Sequence, residues 1–157
     1  MNYQAVESEL AHQLEANTDL SAIADITVLP EDIAQYKIPV VNGLVTVVFM
    51  SEIFDKNQSI GPISQHSTAT FTISIQSRRL RGPKGVYVIS ELIKQSLMGF
   101  TPTDCGAVSL GDFAYVNYQN DVWENSLSVA CRSLRTQILP HSVDPPLMDQ
   151  PVYDQPQ

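Results

Sequence analysis

The run from Thr68 to Arg78 constrains the fold more than any other part of this chain. Phe71, Ile73 and Ile75 alternate with Thr70, Thr72, Ser74 and Gln76. A period of two puts the first set on a buried face of a strand and the second on a polar one. A slip of one residue would turn the whole apolar set to water, so the register of such a strand is strongly specified. Upstream, Gly43 to Phe54 reads as a second strand, with Val45, Val47 and Phe49 on one face and Thr46, Val48 and Met50 on the other. Apolar residues on both faces predict a central or doubly covered strand. Asp55 to Ser67 contains Asn57, Gly61 and Pro62 and reads as the loop that closes the two strands into a long hairpin.

Helical periods flank this hairpin. Tyr3, Val6, Leu10 and Leu14 form one apolar stripe, with Glu7, Glu9 and Glu15 on the outer face. Asn17-Thr18-Asp19 is expected to end that helix. A short strand follows at Asp25 to Leu29, interrupted by Pro30. After the hairpin, Arg78 to Gly85 is a basic turn. Val86, Ile89, Leu92, Ile93 and Leu97 then predict a helix from Val86 to Met98, stopped at Gly99 with Pro102 beyond it. Val108 to Tyr118 and Val122 to Arg132 read as two closing strands around Gln119-Asn120-Asp121. The order helix, strands, helix, strands predicts an α+β fold: a mostly antiparallel sheet packed by two helices.

The domain is expected to span residues 1–139. From Pro140 the chain turns proline-rich (Pro140, Pro145, Pro146, Pro151, Pro156), and Asp-Gln-Pro occurs twice. Residues 140–157 therefore read as a tail without a packed element. It is either a disordered end or an extended arm laid on a neighbour, with Val143, Leu147, Met148, Val152 and Tyr153 as its apolar anchors.

Charge is segregated along the 157 residues. The net charge is −8, and residues 1–35 carry seven acids and no Lys or Arg. Arg78, Arg79, Arg81 and Lys84 make up four of the nine basic residues. The overall acidity excludes the basic footprint of a general nucleic-acid binder. A molecule with one acidic and one basic surface is suited to head-to-tail self-association. Two cysteines are too few for a disulfide scaffold and fit a reducing cytoplasm. No leader or membrane-spanning run is visible, so the chain is expected to be soluble and made in the cytoplasm, with no membrane partner.

Three segments carry a resemblance. They are the strand ATFTISIQSRRLRG, the helix GVYVISELIKQSLMGFTP, and the aromatic strands FAYVNY and DVWENSLSVACRS. In this layout a strand runs into a helix that ends in a Leu-x-Gly-Phe-x-Pro-like signal, here Leu97 to Pro102, and Trp123 opens the last strand. Over Tyr3 to Leu139 the chain resembles the phage tail-terminator (tail-completion) proteins of the Mu-like contractile-tailed type. The resemblance implies a non-enzymatic structural protein of the virion neck, assembled in the host cytoplasm. It would form a homo-oligomeric ring, commonly a hexamer, that caps the tail tube and ends tube polymerisation. Its partners would be the tail tube protein, the sheath protein if the tail is contractile, and the head-side connector protein, with DNA only passing through the lumen. No cofactor is implied. The alternative is a head-tail connector or neck ring that contacts DNA.

Three sets of residues are the candidates for assembly contacts. The acids Glu7, Glu9 and Glu15 are expected to meet Arg78, Arg79, Arg81 and Lys84 of the next subunit. Rim ion pairs of this kind contribute about 0–1 kcal/mol each, so their role is register and partner choice. Phe54, Ile60 and Ile63 in the hairpin loop are expected either to tuck onto the core or to dock on the tube or connector. Leu147, Met148, Val152 and Tyr153 are the arm's anchors. The basic turn precedes a helix start, where anions are favoured, but Gly82-Pro83-Lys84-Gly85 does not match a P-loop. His12, His66 and His141 lack ligand spacing. Cys105 has no nearby base, and Cys131 reads as core. Trp123, Tyr115 and Tyr118 read as packing residues.

Overall fold

A computed structural model describes residues 1–32 and 42–139. Five strands form one sheet in the order β1-β2-β3-β5-β4. These are β1 (Ala24–Val28), β2 (Gly43–Phe54), β3 (Ser64–Ser77), β4 (Ser109–Gln119) and β5 (Val122–Thr136). The one parallel pair is β1 with β2, and the other neighbours are antiparallel. Three helices, α1 (Tyr3–Glu15), α2 (Thr18–Ser21) and α3 (Val86–Leu97), complete the α+β fold. Residues 140–157, with the arm anchors Leu147, Met148, Val152 and Tyr153, lie outside the described residues.

The alternation of β3 decides where the core sits. Ala69, Phe71, Ile73 and Ile75 are buried, whereas Thr70, Thr72 and Ser74 are half-buried on the opposite face. Phe71 and Ile73 pair with Val129 and Leu127 of β5, and Ile75 and Ile73 with Val45 and Val47 of β2. The helices lie on this apolar side. Val6, Leu10 and Leu14 from α1 and Ile89, Ile93 and Leu97 from α3 join the same buried cluster. Burying side chains of this size stabilises a fold by about 1.5–3 kcal/mol each relative to exposure. The other face is surfaced by short hydroxyl side chains. At its β2 row Thr46 is also buried, but Val48 is half-buried and Met50 is 58% exposed, so the two-sided cover expected of this strand is confined to its first half.

Several boundaries differ from the sequence expectations, each for a local reason. α1 ends at Glu15, just before Asn17-Thr18-Asp19, but the same residues also start a new helix: the Asn17 side chain accepts hydrogen bonds from the Asp19 and Leu20 amides and caps α2. The fold thus packs three helices on the sheet, not two. α1 is capped by Asn2, whose side chain accepts from the Ala5 amide, and its first turn holds no acid. β3 starts at Ser64, and β5 runs on to Thr136, because these extensions pair with each other from Ser64↔Thr136 through Thr68↔Arg132. Gly99 takes φ 81° past the end of α3, and Asn120 and Asp121 take φ 52° and 59° in the β4–β5 turn. Both are left-handed positions of the kind their residue types tolerate.

Candidate assembly surfaces

The outer face of α1 is not simply solvated. Glu7 accepts the Phe49 amide of β2 at 2.7 Å, two residues past the end of the β1–β2 ladder. Glu9 accepts the Thr103 amide at 2.7 Å, and the hydrogen bonds from Thr103 hold its carboxyl below the usual range. Both glutamates are half-buried and bind the helix to its own chain. Glu15 is exposed and sits 3.5 Å from His12. Of the three acids named as contact candidates, Glu15 is the one turned outward.

A β-bulge governs the next group of residues. The pairing of β2 with β3 shifts between Phe49 and Ser51, so that Met50 is an extra residue. Beyond it Glu52 pairs with Ala69, on the helix side, and Ile53 pairs with Thr68, on the polar side. Ile53 is accordingly 68% exposed. The Glu52 side chain is 3% exposed and accepts hydrogen bonds from the Tyr3 hydroxyl, the Ser67 hydroxyl (2.5 Å) and Arg135 (3.3 Å). Burial alone would raise the Glu52 pKa, but the bonds from Ser67, Tyr3 and Arg135 and the Arg135 charge outweigh it and leave it lowered. Tyr3 stacks on Phe49 at 4.1 Å, and Phe49 meets Phe71 edge-on. This network ties the start of α1 to the end of the sheet. Sequence periodicity gave no sign of it, because a regular strand would put Glu52 and Phe49 on opposite faces.

The basic turn is exposed at Arg78, Arg79, Arg81 and Lys84. None of the four makes an ion pair among the described residues. Arg81 lies over the Tyr87 ring at 5.7 Å. The helix start beside them is already satisfied. Val86 and Tyr87 donate their amides to the carbonyls of Arg79 and Leu80, and Gly85 donates to Gly82. Carbonyl oxygens occupy the positions a phosphate would take, so the turn offers charged side chains rather than a backbone anion cradle.

The hairpin loop presents its apolar residues to solvent. Phe54 is 47%, Ile60 105% and Ile63 48% exposed. Ile138 and Leu139 are exposed nearby in sequence order after β5, where Gln137 bonds to both backbone groups of Ile63. At the opposite end of the molecule, Tyr118 and Tyr115 pack on Trp123, with ring centroids 4.4 Å and 6.3 Å away. The packing expected of these three is present, yet both tyrosines remain largely exposed on the outer strand β4. Sequence alternation alone could not show that β4 is an edge.

The thiols are poorly placed for chemistry. Burial, with Cys105 as hydrogen-bond neighbour, pushes the Cys131 thiol up to about 12, and burial raises Cys105 as well. Neither is a ready thiolate at neutral pH. Among the described residues no group of His, Cys, Asp and Glu is arranged to hold a metal ion. No helix among them is long and apolar enough to cross a membrane.

Comparison with known proteins places the fold. A chain of the virion of a native gene transfer agent particle superposes with a TM-score of 0.56 at 14% identity, covering 84% of this chain and 96% of that one. No curated protein matches the sequence. The Gp37 protein family matches residues 18–153, a span that takes in every strand and α2 and α3, and the chain belongs to that family.

Proposed function

We propose that this protein is a non-enzymatic structural subunit of a phage-like virion. In this reading copies form a ring that caps the tail tube, ends its polymerisation and joins it to the head-side connector. The observation that carries the virion role is the fold shared, over 84% of this chain and 96% of the other, with a component of the gene transfer agent virion. The tail-capping role rests on the tail-terminator resemblance of the strands and of the helix that ends at Leu97 to Pro102.

The surfaces suit that task. Exposed charges of opposite sign, Glu15 at the end of α1 and Arg78, Arg79, Arg81 and Lys84 between β3 and α3, provide for side-by-side contact. The apolar tip with Phe54, Ile60 and Ile63 provides for axial docking on the tube or the connector. The polar sheet face carries Asp112 and Glu124 among serines and threonines, and Arg132 there is paired with Asp55. Such a face gives DNA no cationic track, which suits a lumen through which DNA passes.

The test is electron microscopy of tail tubes grown with and without the purified chain. Capped tubes of limited length are expected. Tubes that lengthen unchecked, with no density at the head-facing end, would sink the reading. The basic turn, which makes no ion pair among the described residues, favours a DNA-contacting connector as the second reading. Retention of DNA at moderate salt, lost on reversing the Arg78, Arg79 and Arg81 charges, would favour it.

A further inference from the structure

We propose that the aromatic flank of β4 on one copy seats in the groove between α1 and β1 of the next. The proposal rests on the ring reading above and specifies its side-to-side contact. Four observations converge on it.

The first is strand sense. β1 and β4 are the two outer strands of the sheet. Following the pairings across the sheet, β1 runs with β2 and β5, whereas β3 and β4 run against them. Copies set side by side with their helices on the same side therefore bring β4 against β1 in the antiparallel sense. The contact joins two different surfaces, so it repeats from copy to copy and closes where the rotation allows.

The second is level. Ile26, Val45, Ile75, Asn125 and Tyr115 form one continuous row of partners across all five strands. Tyr115 thus stands at one end of a row on the helix side, and Ile26 stands at the other.

The third is shape. An open groove of about 250 Å3 lies between α1 and β1, lined by Ala11, His12, Glu15, Ile26 and Val28 among others. For scale, an apolar cavity of about 150 Å3 accepts benzene. Tyr115 is 60% exposed and Tyr118 47%, and Trp123 supports both rings. Supported aromatic rings bury a large area at low entropic cost, and Glu15 is an acceptor for a phenolic hydroxyl. The ladder shifts in β4, at Leu110/Phe113 and Tyr115/Asn117, keep its edge from templating a long indiscriminate strand pairing. Side chains therefore set the selectivity.

The fourth is charge. Asp25, Leu44 and Gln76 share a row, so the exposed acid Asp25 is level with the end of β3 from which the basic turn departs. Ser77, the last residue of β3, pairs with Trp123. Seating the tyrosines thus sets the basic turn of one copy at the same strand level as Asp25 of the next.

The test uses the full chain with a benzophenone amino acid in place of Tyr115, assembled on tail tubes and irradiated. Cross-links from one copy into residues 8–28 of another are the expected result. Copy-to-copy cross-links confined to other segments, or rings visible by microscopy without any such cross-link, overturn this contact and leave the ring standing. Absence of rings on the tubes for the unaltered chain overturns both. Two variants on opposite surfaces guard against misfolding. Tyr115→Asp and His12→Trp, each at an exposed side chain, should keep the melting temperature and weaken self-association about tenfold or more. Unchanged association in both folded variants overturns the contact.

Discussion

Glu52 shows how one buried carboxylate organises several elements. It takes hydrogen bonds from Tyr3 on α1, Ser67 on β3 and Arg135 on β5. Because its folded pKa is depressed, the stability it contributes is fully present above the ordinary carboxylate value of 4.5 and is lost as pH falls through the lower folded value. Glu9 behaves in the same direction through its bonds to Thr103. Glu52→Gln should cost about 1–3 kcal/mol in urea unfolding at neutral pH, since it weakens charge-assisted bonds in a buried site. The difference between variant and parent should shrink in acid below the ordinary carboxylate value. A difference that stays constant through the acid range would show that the charge contributes nothing.

At the scale of elements, two local devices shape the molecule. The extra residue Met50 lets Phe49 and Glu52 face the same side although three positions separate them. Deleting Met50 leaves the pairs on either side unchanged, so the chain should still fold and keep the Tyr3–Glu52 bond. Loss of the Tyr3 contact in that deletion, read by tyrosine nuclear magnetic resonance shifts, would show that the bulge's bend is itself required. The second device is the entry to α3. A Cβ on Gly85 would lie 2.6–2.8 Å from backbone atoms of Arg81. Backbone held by the Val86–Arg79 and Tyr87–Leu80 bonds cannot yield cheaply. Gly85→Ala should therefore destabilise the protein by about 1–3 kcal/mol, checked by thermal unfolding.

Across the whole molecule the surfaces divide into distinct tasks. Helices cover one sheet face, short polar side chains surface the other, and an apolar loop tip marks one end. Ile60→Ser with Ile63→Ser should change the melting temperature little, because Ile60 is wholly in solvent and Ile63 is 48% exposed. The same pair should abolish co-sedimentation with tail tubes if the tip docks there. Tube binding equal to the parent's would remove the tip from the proposed interface. Part of this layout was legible in advance. Ile60 and Ile63 and the exposed basic turn lie in segments that turn chemistry marked as loops, whereas Phe54 closes β2. The engagement of Glu7 and Glu9 with backbone amides was not legible, because their partners, Phe49 and Thr103, are 42 and 94 residues away.

The α+β class, the strict two-residue alternation of β3, the stripe of α3 and its stop at Gly99 follow from the sequence alone. Each is a local periodicity or a local backbone preference, and neighbours in the chain suffice to express it. Which strands lie at the edges, which glutamates are taken up inside, and the juxtaposition of Tyr115 and Ile26 at opposite ends of one row were decided by tertiary structure. Those features depend on strand order and on a single inserted residue in β2. Pairings between distant segments set both, and periodicity along the chain does not encode them.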